Sequence, residues 1–368
     1  MKKKILHIIT GIGAGGAEKV MLSIVSNDKQ INHYVISLRK KNFIKTPYSI
    51  DNEKIFYLNL NRFNFLIKFF TLTMFIYKFK PDIVQTWMYH ADFFGGLAAK
   101  LAGCKKIFWN IRNSSISKET KKLTKFIIIM NVFLSYIIPN KVISCSEFAK
   151  IIHIKKGFKN NFLIIHNGFY ETKKNIKLHN FSFYNSRDFV ITFIGRWHPQ
   201  KDFDNLFKSL KIFQNFSKCH NWKIFLAGNQ LDNSNLELNN LINKYGLKKN
   251  VNLLGQINCI ESFFKNSDIN LLTSKFGEAF PNVLIESMFY GIPCISTDIG
   301  EARYIISNCG WVVPKNNAYK FALSINEAYK KKQHIKSWFN LKLKCSLRIK
   351  NFLLYNKMIS KYHKAWSI

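Results

Sequence analysis

Asp268-Ile269-Asn270-Leu271-Leu272-Thr273-Ser274 and, just beyond it, Gly277-Glu278-Ala279-Phe280-Pro281-Asn282-Val283-Leu284-Ile285-Glu286 decide how this chain folds. The first run is short, apolar and flanked by polar residues, which predicts a buried strand. The second predicts a loop that enters a helix. Pro281 suits the first helical position, where a missing N–H costs nothing. Gly291 suits the helix stop, and Pro293 opens the next strand. This places Glu278 in the loop before the helix and Glu286 one to two turns inside it. Two carboxylates then flank a helix N-terminus, whose N–H groups and dipole favour anions. Such a site needs partners from elsewhere in the chain.

Working outward, the same strand–loop–helix unit recurs. Lys4–Thr10 reads as a strand, Gly11–Gly16 as a loop and Ala17–Ser26 as a helix. Short apolar strands follow at His33–Leu38, Ile55–Leu60, Asp82–Trp87, Lys106–Trp109 and Lys141–Cys145. Helical segments lie between them at Asn64–Phe79, Asp92–Leu101 and Lys118–Ile138. The alternation predicts a parallel sheet covered by helices. The pattern breaks after Asn167-Gly168, where residues 171–187 are polar and rich in turn formers. It restarts with strands at Phe189–Gly195, Trp222–Gly228, Val251–Leu254, Asp268–Thr273 and Ile292–Thr297. The expected fold class is α/β, with two doubly wound Rossmann-like domains facing a central cleft. The boundaries are 1–170, a linker 171–187, a second domain 188–347 and a terminal segment 348–368. The natural ligand position is the cleft beyond the carboxyl ends of both sheets.

The chain has 368 residues, 47% of them hydrophobic, which suffices for two cores. Its formal charge of +35 has two readings. One is an anionic partner, nucleic acid or membrane. The other is a coding bias toward Lys, Asn, Ile and Phe. The cations are spread along the chain and define no site by themselves. The seven cysteines are scattered with no Cys-x-x-Cys pair, which argues against a disulfide framework or structural zinc and fits a reducing cytosol. Met1–Lys4 resembles the start of a signal peptide, but the apolar stretch after it is too short and reads as the first strand. The most apolar segment, Phe126–Ile138, is too short to cross a hydrocarbon core of ~30 Å as a helix.

Several motifs sit at strand ends. Gly11-x-Gly13-x-x-Gly16 matches the dinucleotide fingerprint, and Arg39 at the end of the second strand could accept a 2′-phosphate, so an NADP-dependent oxidoreductase is one reading. The broader inference is a loop whose backbone N–H groups can approach a phosphate. Arg196 and Lys201, in Gly195-Arg196-Trp197-His198-Pro199-Gln200-Lys201, suit a diphosphate, one as a planar fork and the other as a mobile point charge. Asp202-x-Asp204 has the spacing of a metal–nucleotide motif, but its place before Asn205-Leu206-Phe207 favours helix capping, so no metal is expected. His90, in Trp87-Met88-Tyr89-His90-Ala91-Asp92, lies at a strand end where ligands bind. His7, inside a strand, reads as core. The basic-aromatic helices Lys118–Ile138 and Asn64–Phe79 have two readings, helices on a membrane surface and helices packed on their own domain.

Together these residues resemble glycosyltransferase family 4, retaining enzymes of GT-B fold. The resemblance rests on Gly15-Gly16-Ala17-Glu18, the Trp87–Asp92 block, Ser144-Cys145-Ser146-Glu147, Asn167-Gly168, Gly195-Arg196…Lys201, Leu226-Ala227-Gly228 and the Glu278…Glu286 pair, the family's E-x7-E. It implies transfer of a sugar from a nucleotide-diphosphate sugar to a saccharide acceptor, lipid-linked, in bacterial surface polysaccharide synthesis. No metal or other cofactor is implied. The implied partners are the donor, the acceptor and an anionic membrane surface on the cytoplasmic side, with no nucleic acid. By resemblance Arg196 and Lys201 hold the donor diphosphate and Glu286 the ribose. Glu278 lies near the donor sugar, with the backbone of Phe280, Pro281, Asn282 and Val283 close by, its donors being the N–H groups of Phe280, Asn282 and Val283. Gly15 and Gly16 approach the phosphate, and His90 and Glu278 are the catalytic candidates. Ala279 stands where the family often has Gly, and would be strained if its φ were positive. The resemblance also implies that the terminal helix returns to the first domain.

Overall fold

The computed structural model describes residues 2–13, 15–41, 51–114, 121–170, 188–257 and 259–367. Two compact units emerge, Met1–Thr172 with Tyr355–Ile368, and Lys173–Leu354. The expected linker, 171–187, lies outside the described residues.

The first unit alternates as expected: β1 (Lys4–Ile9), α1 (Gly16–Asn27), β2 (Asn32–Ser37), β3 (Ile55–Tyr57), α2 (Phe65–Phe79), β4 (Ile83–Trp87), α3 (Tyr89–Leu101), β5 (Ile107–Ile111), α4 (Lys122–Leu134), β6 (Lys141–Ser144), α5 (Glu147–Lys155) and β7 (Phe162–Ile164). Its strands lie in the order β3-β2-β1-β4-β5-β6-β7, with every neighbouring pair parallel. The chain goes outward from β1 to one edge, then returns to β4 beside β1 and proceeds to the other edge. The two loops leaving β1 and β4 therefore diverge, and a crevice opens between them. The central strands are buried along nearly their whole length, as expected for a parallel sheet covered on both faces.

The second unit repeats the design with β8 (Phe189–Ile194), α6 (Phe203–Phe216), β9 (Trp222–Ala227), α7 (Leu236–Lys244), β10 (Val251–Gly255), α8 (Ile260–Lys265), β11 (Ile269–Leu272), α9 (Asn282–Phe289), β12 (Cys294–Thr297), α10 (Ala302–Ile306), β13 (Gly310–Val313), α11 (Ala318–Lys332) and α12 (Ile335–Phe352). Its order is β10-β9-β8-β11-β12-β13, again all parallel. Its crevice falls between β8 and β11. Helix α6 shows why the sequence packs here. Phe203, Leu206, Phe207, Leu210 and Phe213 recur at helical spacing and are all buried, each stabilising by about 1.5–3 kcal/mol relative to exposure.

The last helix, α13 (Tyr355–Trp366), belongs to the first unit. The sequence placed the start of the returning segment at 348, but α12 continues to Phe352 and residues from Tyr355 make the return. Tyr355, Met358, Tyr362 and Trp366 form its buried stripe. The Tyr362 hydroxyl accepts from Asn110 Nδ2 at 2.7 Å and from Arg112 at 2.5 Å, and Trp366 Nε1 donates to Gln85 Oε1 at 3.1 Å. Two edge strands, β7 and β13, were not expected. Both are three or four residues long, too short to show a period.

Candidate functional site

In the second unit, the loop after β8 carries Arg196 and Lys201, and the loop after β11 carries Glu278. Both loops leave the sheet at its switch point, so the topology brings them together. Lys201 Nζ donates to Glu278 Oε1 at 2.7 Å, with only 13% and 14% of the two side chains exposed. The same oxygen accepts from Ser274 Oγ at 3.0 Å and Gln200 Nε2 at 3.1 Å. Arg196 is exposed and reaches Gln200 Oε1 at 3.5 Å. Burial by itself would raise the Glu278 pKa. The Lys201 charge and hydrogen bond, the Ser274 hydroxyl and the Arg196 charge outweigh it and hold the carboxyl below its ordinary value. Glu278 is therefore a carboxylate at neutral pH. Sequence reading treated Lys201 and Glu278 as separate groups; in the fold they are one ion pair.

The loops are tied to each other by their own backbone. Thr273 Oγ1 donates to the Lys201 carbonyl at 2.7 Å, and Lys275 N–H donates to the Gln200 carbonyl at 2.9 Å. Thr297 Oγ1 donates to the Ser274 carbonyl at 2.6 Å and so anchors this assembly to β12. Close backbone approach does the rest. A Cβ at Gly228 (φ 141°) would lie 1.5 Å from the Gly195 carbonyl oxygen, so only glycine lets the loops after β8 and β9 meet. Gly300 (φ 52°), in the loop after β12, faces the Glu278 and Ala279 carbonyl oxygens, which a Cβ would meet at 2.4 and 2.6 Å. Sequence reading missed Gly300, Ser274 and Gln200 as site residues. Their signal was positional, since each lies in a loop at the carboxyl end of a strand.

Helix α9 opens beside Glu278. Pro281 occupies the cap position rather than the first helical one, and Asn282 and Val283 begin the helix. The first N–H groups of any helix point out of its N-terminus, so the backbone from Phe280 to Val283, whose donors are the N–H groups of Phe280, Asn282 and Val283, lies at an anion-favouring end. Phe280, Pro281 and Val283 are buried, which fixes their backbone. Glu286 lies in the body of α9, half-buried. The strain foreseen at Ala279 does not arise: the positive φ in this loop is at Gly277 (82°). Asp202 occupies the cap position of α6 without a side-chain cap hydrogen bond and pairs with Lys275 at 3.8 Å, while Asp204, in the first turn, accepts from the Tyr245 hydroxyl at 2.8 Å. The two carboxylates serve different partners.

In the first unit, the crevice between β1 and β4 is a cavity of about 270 Å³ lined by Gly11, Glu18, His90, Asn113, Thr124 and Ile128 among others. His90 is the second residue of α3, whose cap Met88 adopts φ 71°. Burial and, secondarily, the Arg39 charge lower the His90 pKa, which keeps the ring neutral and able both to donate and to accept. Gly15 and Gly16 lie exposed at the start of α1, where Gly15 is the cap and the Glu18 carboxylate folds back over it. Asn113 and Thr124 carry no signal in the sequence, and Glu18 stands out there only within Gly15-Gly16-Ala17-Glu18, because the three come from separate segments. Sequence placed His7 in the core, and it is fully buried there.

Residues 173–340 match the family of glycosyl transferases group 1. The chain is a glycosyltransferase. A relative along most of its length is the amylovoran biosynthesis glycosyltransferase AmsD of Erwinia amylovora, 24% identical over 88% of this chain and 89% of AmsD. Another is the UDP-Gal:alpha-D-GlcNAc-diphosphoundecaprenol alpha-1,3-galactosyltransferase of Escherichia coli, 24% identical over 75% of each chain. Among solved structures, Anabaena HepE in complex with UDP and glucose superposes with a TM-score of 0.79 at 18% identity, covering 99% of each chain. The fold is thus that of GT-B glycosyltransferases, and the oxidoreductase reading of the Gly11–Gly16 loop gives way to it.

Proposed function

We propose that this glycosyltransferase is a retaining, metal-independent hexosyltransferase that moves a sugar from a nucleotide-diphosphate sugar to a lipid-linked saccharide during bacterial surface polysaccharide synthesis, at the inner face of the plasma membrane. The observation that carries the reading is the buried Lys201–Glu278 pair, set between Arg196 and the start of α9. The bound UDP of HepE and the diphosphoundecaprenol-linked acceptor in the E. coli relative's name support the donor and acceptor classes. Breaking the bond between anomeric carbon and phosphate oxygen leaves negative charge on the diphosphate and oxocarbenium character on the sugar. Arg196, Lys201 and the α9 N-terminus stabilise the first. Glu278, held ionised, suits stabilisation of the second and is a poor proton donor. The acceptor oxygen bonds to the anomeric carbon on the face the phosphate leaves, and the acceptor's proton passes to that phosphate. Glu286 anchors the ribose, Gly15 and Gly16 offer backbone N–H groups to phosphate, and neutral His90 hydrogen-bonds the sugar.

A thermal-shift panel of nucleotide sugars, followed by transfer assays on Lys201→Ala and Glu286→Ala, tests this. One donor should stabilise the protein, and both variants should lose transfer by at least about tenfold. Full activity in both would overturn the site assignment.

A further inference from the structure

Helices α2, α3 and α4 form one layer, with α3 packed between the other two. Their inner residues, Leu72 and Ile76 of α2, Ala98 and Ala99 of α3, and Ile127 and Ile128 of α4, share one core. Their outer face is apolar as well. Leu66, Ile67 and Phe70 of α2 are 67–70% exposed, and Leu123, Phe126, Ile129 and Phe133 of α4 are 55–66% exposed. Between them Phe93, Phe94 and Leu97 of α3 are only partly covered. A helix apolar all round is normally buried, so this face lacks a partner. The charge identifies the partner. No Asp or Glu occurs from Arg62 to Lys80 or from Lys121 to Leu134, while Arg62, Lys68, Lys78, Lys80, Lys121, Lys122 and Lys125 flank the apolar residues. Apolar side chains flanked by cations on two helices, α2 and α4, that carry no acid fit the acyl-chain and headgroup zones of an anionic bilayer. Among the described residues no helix is long and apolar enough to cross a membrane, so the fitting geometry is docking.

One helix links this face to the cavity of the first unit. Thr124 and Ile128 of α4 line the cavity, while Leu123, Phe126 and Ile129, their neighbours on the same two turns, face outward. We propose that the outer face of α2, α3 and α4 docks on an anionic lipid bilayer and holds the cavity within about one helix diameter, ~10 Å, of the headgroups. A lipid-linked acceptor could then place its saccharide in the cavity while its tail stays in the bilayer. That last step rests on the acceptor class proposed above; the docking surface does not.

The test is co-sedimentation of the full chain with vesicles of phosphatidylcholine with and without phosphatidylglycerol. The variants are Leu66→Ser/Phe70→Ser/Phe126→Ser/Phe133→Ser and a charge control on the second unit, Lys320→Glu/Lys330→Glu. Wild type should bind the phosphatidylglycerol vesicles. The apolar variant should bind at least about tenfold more weakly, with an unchanged melting temperature and an unchanged thermal shift with nucleotide sugar, while the charge control binds like wild type. Three results would overturn the proposal: equal binding by the apolar variant, equal loss in the charge control, or a wild-type dimer that the apolar variant dissociates, showing that a second copy covers the face. Vesicle binding without any nucleotide-sugar response would support the surface and count instead against the donor assignment.

Discussion

Lys201 and Glu278, 77 positions apart in the chain, share a 2.7 Å hydrogen-bonded ion pair with both side chains largely buried. The pair closes the gap between the β8 and β11 loops. Removing one partner leaves the other charge buried, which costs about 3 kcal/mol or more. Lys201→Ala should therefore lower stability as well as transfer. Lys201→Ala/Glu278→Ala should regain much of the stability and none of the transfer. Urea unfolding midpoints alongside initial rates check this; a single variant as stable as wild type would show that the pair is not structurally coupled.

Gly300 presses against the carbonyls of Glu278 and Ala279 in a left-handed conformation. A methyl group there must push the Glu278 loop away. Gly300→Ala should cost about 1–3 kcal/mol and weaken donor binding, because displacement of the loop also moves α9. Calorimetric donor titration against wild type reads the effect, and unchanged affinity would refute it.

Acid should destabilise the first unit in two stages. His153 is buried; its Nδ1–H donates to the Ala149 carbonyl at 2.7 Å, and its Nε2 accepts from Tyr89 at 2.8 Å. Burial, with Lys156 reinforcing it against the Ala149 bond, lowers its pKa to about 4. The unfolded chain takes up this proton near the ordinary value of about 6.5, so the contribution is complete above that pH. It is lost as pH falls toward 4, by about 3 kcal/mol in total. Asp28 follows. Burial would raise its pKa, but hydrogen bonds from His33 and His363 dominate and hold it at about 2, so its contribution is intact above the ordinary carboxylate range and fades as pH drops toward 2. Unfolding midpoints of wild type and His153→Phe between pH 7.5 and 4 separate the first stage. Parallel curves would contradict it.

Tyr362→Phe removes the hydroxyl that Asn110 and Arg112 both use. It leaves one buried donor, Asn110, and one half-buried donor, Arg112, short of an acceptor and should cost about 1–3 kcal/mol. Limited proteolysis should cut before α13 faster in the variant than in wild type. Equal rates would mean that the apolar stripe alone holds the helix.

Transfer activity should survive a metal chelator, because Arg196, Lys201 and a helix N-terminus supply the positive charge that the leaving diphosphate needs. Loss of activity with EDTA and recovery with a divalent ion would overturn this.

Local sequence determined the alternation of strands and helices, the helix stop at Gly291 and the position of Glu278 before a helix and Glu286 inside it. These follow from apolar period and from backbone rules that act over a few residues. Strand order did not follow, because it depends on which strands pair across long separations. Tertiary structure alone decided that Lys201 and Glu278 form one buried pair, that Gly300 supports them from a third loop, and that Glu18, Asn113 and Thr124 line one cavity. The opening stretch promised an anion site between two carboxylates. The fold pairs Glu278 with a buried cation, because β8 and β11 are neighbours at the switch point, and sets Glu286 in the body of α9.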